Sequence, residues 1–214
     1  MRFVTAFAFG FLVAAACGGT KNNNNNGDPD LSEPEQSVDM ASAQSADLTT
    51  TSSKKRLFVT KASYTGNLGG LSGADAKCSA AATTAGLGGA WKAWISDGTT
   101  SAKDRLTDVG PWYDAKGLTE LFANKAALTG SPAAFVRMYE DGSEFDSTSD
   151  RLDVWTGTNA DGTTANSHCQ TWTYDTDNSE AAGSGCDNSL AEWSACSPAP
   201  LSCDSHAHLY CFEQ

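Results

Sequence analysis

The chain has 214 residues, with 14 Lys and Arg against 26 Asp and Glu, for a formal net charge of −12. An excess of negative charge repels other polyanions at long range. It argues against nucleic acid, heparin-like polymers and anionic lipid as partners.

The first signal in chain order is at the N-terminus. A single charge, Arg2, precedes an apolar run from Phe3 to Ala16. The run is shorter than the about 20 apolar residues a spanning helix needs and fits the core of a secretory signal peptide. It ends in LVAAAC, which resembles a bacterial lipobox, so Cys17 is expected to be lipidated and to become the new N-terminus. Gly18 follows rather than an acidic residue, which by resemblance to enteric sorting rules implies the outer membrane. From Gly18 to Lys55 no aromatic residue occurs, and the larger apolar side chains are only Leu31, Val38, Met40 and Leu48. Such a segment buries too little surface to offset its ordering entropy and is expected to be a disordered tether, with an r.m.s. reach of roughly 30–37 Å. The expected organisation is a signal peptide over 1–16, a lipidated tether over 17–55 and one domain over 56–214. All six tryptophans, all five tyrosines and six of the seven cysteines fall in that domain, which is long enough for a real core.

Within the domain, Leu57 and Val59 alternate with Arg56, Phe58 and Thr60, predicting a strand. Gly66, Gly69 and Gly70 break it. Ser72 is placed to cap a helix with Asp75 in its first turn. Ala74, Cys78, Ala81, Ala82 and Ala85 then give a small-residue helix face suited to close packing on a sheet, and Gly86 and Gly88 end the helix. Ala90 to Asp97 reads as a strand, Ser101 to Leu106 as a helical turn, and WYDAKG and Leu118 to Leu128 as short pieces between turns. AAFVRMYEDG reads as a strand into a turn, Val154–Trp155 as a strand start, Asp161–Gly162 as a turn and Cys169 to Tyr174 as a strand. A loop rich in Gly, Ser and Asp runs to Gly185, and HLYCFEQ closes the chain as a strand. The class is α+β, with one clear helix, short strands and much loop.

Cys78, Cys169, Cys186, Cys196, Cys203 and Cys211 show no CxxC spacing, which disfavours zinc knuckles and thioredoxin motifs. In an exported domain they predict three disulfides among 15 connectivities, and lipidation of Cys17 accounts for the odd cysteine. Three blocks carry a family resemblance: GGLSGADAKCSAAATTAGLGGAWKAWIS, VWTGTNADGTTANSHCQTW and SCDSHAHLYCFEQ. In order and spacing the domain resembles the endostatin domain of collagens and its bacterial endostatin-like lipoprotein relatives, a variant of the C-type-lectin-like fold. The middle, Leu106 to Asp153, matches only loosely. The resemblance implies Cys78–Cys211 and Cys169–Cys203 bridges, leaving Cys186–Cys196 as a loop clip that departs from the endostatin pattern. Endostatin's zinc-binding histidines and arginine-rich heparin face have no counterpart here.

Three clusters suggest chemistry. His206 and His208, two apart on a strand, could face one metal with Asp204 nearby, although two imidazoles need a third ligand. His168 beside Cys169 resembles a nucleophile–base pair, but a bridged cysteine has no thiolate. DTDNSE, Asp175 to Glu180, has carboxylates at calcium-like spacing without the glycine and distant Glu of an EF-hand, so structural calcium is the only cofactor it suggests. No nucleophile elbow, P-loop or HExxH motif appears. The chain reads as a non-enzymatic surface lipoprotein, a monomeric domain anchored to the membrane through lipid, binding a protein or glycan ligand. Spirochaetal relatives act as adhesins for extracellular matrix and complement regulators, which is the role the resemblance implies. Trp172, Tyr174 and Trp193 are the candidate binding residues, expected to be partly exposed around the loop from Trp172 to Pro200. The rivals are a metal-dependent secreted enzyme using His206 and His208, and a purely structural envelope lipoprotein.

Overall fold

Leu57, Phe58 and Val59 are three consecutive apolar residues, and all are fully buried in the computed structural model, which describes residues 54–146, 151–176, 181–186, 189–196 and 201–214. The expected signal peptide, Cys17 and the tether up to residue 53 lie outside the described residues. In chain order the elements are β1 (Lys55–Val59), helix α1 (Gly70–Thr84), β2 (Trp91–Ala93), α2 (Ala102–Arg105), β3 (Trp112–Tyr113) and β4 (Glu120–Phe122). A 3-10 turn at Lys125–Thr129, β5 (Asp153–Trp155), β6 (Ala181–Ala182), β7 (Ser184–Cys186), β8 (Leu201–Ser202) and β9 (Tyr210–Glu213) follow. The fold is α+β: a mixed sheet, one main helix and extensive loop.

The main sheet has the order β2-β9-β1-β3-β4. β1 runs parallel to β3 and antiparallel to β9, and β9 also pairs antiparallel with β2. Both faces of this sheet are covered, so its central strands do not show the buried-exposed alternation expected of Leu57 to Thr60. Phe58, Trp91, Ala93 and Cys211 face a cluster that includes Ala74, Cys78 and Ala82 of α1. Leu57, Val59, Tyr210 and Phe212 face a second cluster on the other side, with Trp94, Trp112, Phe122 and Trp193. That second cluster is a mesh of rings: Phe122 and Trp193 lie 4.8 Å apart, Trp94 and Trp193 5.0 Å, and Trp112 meets Phe212 edge-on at 5.4 Å. Lys55 already belongs to β1, and the Lys54 ammonium sits 4.6 Å from the Tyr113 ring.

Helix α1 starts at Gly70 behind Gly69, whose φ of 81° no other residue adopts as cheaply. Ser72 is therefore inside the helix, not its cap. The C-terminal end follows expectation. Gly86 takes φ +71°, and the Gly86 and Leu87 N–H groups donate to the Thr83 and Ala82 carbonyls, a Schellman closure. Asp75 serves the sheet more than the helix dipole. Its Oδ1 accepts from the Ala93 N–H at 2.9 Å, and both carboxylate oxygens accept from Arg105 Nη2 at 2.7 Å. Arg105 donates further to the Ala93 carbonyl at 2.8 Å and the Ile95 carbonyl at 3.2 Å, with its side chain only 7% exposed. One ion pair thereby joins α1, β2 and α2.

Three disulfides join Cys78 to Cys211, Cys169 to Cys203 and Cys186 to Cys196, across sequence separations of 133, 34 and 10 residues. Restricting the unfolded chain in this way contributes roughly 5, 4 and 3 kcal/mol respectively in the loop-entropy model. The segment expected to be a strand from Cys169 is instead a left-handed turn. Cys169, Gln170, Thr171 and Trp172 have φ of 45°, 49°, 59° and 66°. Each such residue costs about 1–2 kcal/mol without glycine, so the surroundings must impose the shape. The Cys169–Cys203 bridge holds one end. The Trp172 indole holds the other, donating from Nε1 to the Ser96 carbonyl at 2.7 Å, while the Leu68 and Gly69 N–H groups donate to the Trp172 carbonyl.

Two outcomes follow for stability. Arg105→Ala strands the Asp75 carboxylate and is expected to cost about 3–5 kcal/mol in urea denaturation. Thr171→Gly relieves a β-branched residue at φ 59° and is expected to raise stability by about 1 kcal/mol; a loss of stability would show that the turn is unstrained.

Candidate functional site

The stretch from Val154 to Trp172 is occupied by structure. Trp155 and Trp172 are fully buried, and their indole N–H groups donate to the Tyr64 and Ser96 carbonyls, each at 2.7 Å. Cys169 is bridged to Cys203, and His168 Nδ1 accepts from the Thr171 N–H at 3.0 Å. His168 is thus a turn cap beside a disulfide, not a base beside a thiolate. Of the expected binding residues, Trp172 and Trp193 are corrected to core positions. Trp193 is 3% exposed and its Nε1 donates to the Gly130 carbonyl at 2.8 Å. An indole is large and needs one acceptor, and the interior supplies both the space and the carbonyl. Tyr174 is half-buried and packs against the α1-side cluster.

The C-terminal histidines take the faces their spacing predicts. Ala207, Leu209 and Cys211 are buried on the α1 side, and Tyr210 on the other. Beyond that the pair separates in role. His206 is exposed, and Asp204 accepts from the Ser202 hydroxyl. His208 is half-buried, with Nδ1 2.7 Å from the Thr60 carbonyl and its ring 6.1 Å from that of Tyr139. Since the carbonyl can only accept, Nδ1 carries the proton. Among the described residues no three His, Cys, Asp or Glu side chains are grouped to hold a metal. In DTDNSE, Asp175 accepts from the Thr65 hydroxyl at 2.8 Å, and residues 177–180 lie outside the described residues.

A different part of the chain forms a concave site. A cleft of about 230 Å³ lies over the β1, β3 and β4 side of the main sheet. Leu57 and Leu121 line it from the sheet, and Asp114 and Thr119 from the turn between β3 and β4. The segment from Ala134 to Met138, together with Glu144, forms its other side. Phe135 is 41% exposed, a large apolar side chain left in solvent. The Arg137 guanidinium lies 4.1 Å from the Phe135 ring centre, a stacked cation–π contact that fixes both side chains. Leu118, at the tip of the neighbouring turn, is 76% exposed.

Short-range bonds shape both walls. Asp114 is buried and its two oxygens accept from the Leu118 and Thr119 N–H groups, each at 2.9 Å. Burial pushes its carboxyl up, but these bonds together outweigh it and hold the group below the usual carboxylate value. Asp114 therefore stays ionised. The opposite wall is a hairpin whose Met138 bridges Glu144. Its tip is tied by Asp141, which accepts from the Ser143 N–H and pairs with Lys61 at 2.7 Å. The hairpin is anchored to the end of β1 by the Val59 N–H, which donates to the Met138 carbonyl at 2.9 Å. The stretch AAFVRMYEDG, expected as a strand into a turn, makes isolated bridges at Met138 and Tyr139 and a turn, with no strand of its own. The sequence signal for the exposed ring is local: Val136 is buried, and its neighbour Phe135 is left in solvent.

Residues 61–116, which carry α1, β2, α2 and β3, match a family model described as a protein of unknown function, DUF1554. The match includes Cys78 and the cleft residue Asp114, and stops before Phe135, Arg137 and Glu144. A comparison with curated proteins found no match.

His208 gives the site region a pH signature. Burial lowers its pKa below the usual 6.5, against opposing contributions from the Thr60 carbonyl, Glu140 and Asp153. Its folded-state pKa is depressed, so the stability it contributes is complete above pH 6.5 and is lost as pH falls through the folded value. In His208→Gln the fall in denaturation midpoint between pH 7.5 and 5, read in urea at each pH, is expected to shrink. An unchanged fall would assign the loss to other groups.

Proposed function

We propose that this protein is a non-catalytic binding protein of the cell envelope, an endostatin-like and C-type-lectin-like domain on a lipid-anchored tether that holds a protein or glycan ligand as an adhesin does. The observation that carries the reading is the cleft, where an exposed aromatic ring beside a guanidinium stands with the carboxylates of Asp114 and Glu144. Concave sites with an apolar lining and a few placed polar groups are the usual form of a ligand site. Two further facts support it. The nested Cys78–Cys211 and Cys169–Cys203 bridges are those that the endostatin resemblance implies. The cysteine next to His168 is committed to a disulfide and offers no nucleophile.

The test is binding of the full chain to a glycan array and to immobilised extracellular-matrix proteins, each compared with Phe135→Ala. Removing an exposed aromatic anchor is expected to weaken retention at least about tenfold. Retention on either surface that is identical in wild type and Phe135→Ala would remove the cleft from the function. A stoichiometric transition metal that disappears in His206→Ala would replace the binding reading with the metal-dependent one.

A further inference from the structure

The turn from Cys169 to Trp172 is held at three points of unequal kind. Cys169 is fixed by its covalent bridge to Cys203. Trp172 is fixed by its buried indole and by its carbonyl, which accepts from the Leu68 and Gly69 N–H groups. Between these ends lie Gln170 and Thr171, both exposed and both at positive φ, 49° and 59°. The third hold is a single polar bond in the middle, where the Thr171 N–H donates to His168 Nδ1 at 3.0 Å.

That bond depends on the charge of the ring. Nδ1 accepts only through its lone pair, so the neutral imidazole carries its proton on Nε2. An imidazolium is protonated on both nitrogens and accepts from neither, whatever its rotation. The ring is also hemmed in, since a side chain begun at Gly98 would lie 2.9 Å from Nε2. The same loop after β2 brings Asp97, whose charge acts on the imidazole. From β6 comes Ala182, bridged to His168 through the backbone, and the turn itself brings a disulfide, which does not titrate. Of these neighbours Asp97 alone is charged, and it favours the imidazolium, while the Thr171 N–H opposes it.

We propose that His168 is an acid-sensitive latch on this turn. Protonation of the imidazole breaks the bond to Thr171 and sets one donor against another. Gln170 and Thr171 then rearrange between two ends that stay fixed. Neither is glycine, and L-residues prefer the right-handed region, so both relax once the bond that pins them is gone. The Thr171 carbonyl lies 3.9 Å from where a side chain at Gly70 would begin, so the change is felt at the start of α1. The result is a local change of exposed backbone in mild acid, with the core and the three bridges intact. The latch works whether or not the cleft holds a ligand.

The experiment takes the isotope-labelled full chain from about pH 8 to about pH 5, the range in which imidazoles charge, and follows the His168 ring and the Thr171 amide by NMR. At the alkaline end a nitrogen–nitrogen coupling through the hydrogen bond is expected between the Thr171 amide and His168 Nδ1. As the ring takes its second proton the coupling is expected to vanish. The Thr171 amide proton then moves upfield, Gln170 follows, and Trp172 holds its position. In His168→Asn the side-chain oxygen stands where Nδ1 stood and does not titrate, so Thr171 is expected to stay pinned throughout. A Thr171 amide that keeps its shift while the His168 ring titrates would overturn the proposal, as would an acid transition at Thr171 that survives in His168→Asn. Should His168→Asn misfold, the wild-type chain decides by itself: coincident midpoints at the ring and at Thr171 support the latch, and separate midpoints sink it.

Discussion

A guanidinium that is almost wholly buried survives only if its N–H groups are answered, and in this fold the answer dictates where the main helix sits. Arg105 meets the Asp75 carboxylate of α1 and the carbonyls of Ala93 and Ile95 along and beyond β2. Moving α1 off the sheet would leave two opposite charges apart in a low-dielectric interior, a loss far larger than that of a surface pair. The ion pair is therefore less a source of net stability than a constraint on register, since each of its bonds exists in one arrangement only. It works with the small face of α1. Ala74, Cys78 and Ala82 let the helix come close enough for Cys78 to reach Cys211 in β9. Covering that face of the sheet leaves the aromatic cluster to occupy the other, and the cleft forms along the edge of this second layer.

The fate of the tryptophans decides where a ligand can be held. All six are at most 4% exposed, because each indole fills a large volume and its N–H finds an internal acceptor. Residues that would ordinarily nominate a binding surface are here the mortar of two cores. The exposed aromatic that remains beside a concavity is Phe135, and its environment is charged. That combination moves the centre of interest from the loop after Trp172 to the middle of the domain, where the endostatin resemblance is weakest.

What was legible in the sequence was local or covalent. The small-residue face of α1, its end at Gly86, and the inward row Ala207, Leu209 and Cys211 each follow from a fixed period or a backbone requirement, and the structure places them accordingly. The run Leu57-Phe58-Val59 is legible as a strand, but its burial on both faces is not, because one-sided and two-sided burial differ only in what covers the second face, which is tertiary information. The left-handed turn at Cys169–Trp172 carries no glycine and hence no sequence signal. It exists because a bridge and a buried indole, both fixed by distant partners, impose it. The cleft was hidden for the same reason. Leu57, Asp114, Leu121, Phe135 and Glu144 come from four separate stretches, and no spacing rule joins them.

The cross-linked and the cleft-forming parts of the domain are also divided along the chain. No cysteine occurs between Cys78 and Cys169, so the cleft-forming residues from Asp114 to Glu144 are free of cross-links. The hairpin wall is fixed by bonds that water can compete for: Lys61 with Asp141, the Lys61 N–H with Glu140, and the Val59 N–H with the Met138 carbonyl. Cross-linked scaffold and hydrogen-bonded wall differ in their opening energies, and ligand sites are drawn from the less stable class. Substitutions at the exposed residues of 134–144 leave the bridges and the Arg105–Asp75 pair untouched, whereas Val136 packs into the aromatic layer.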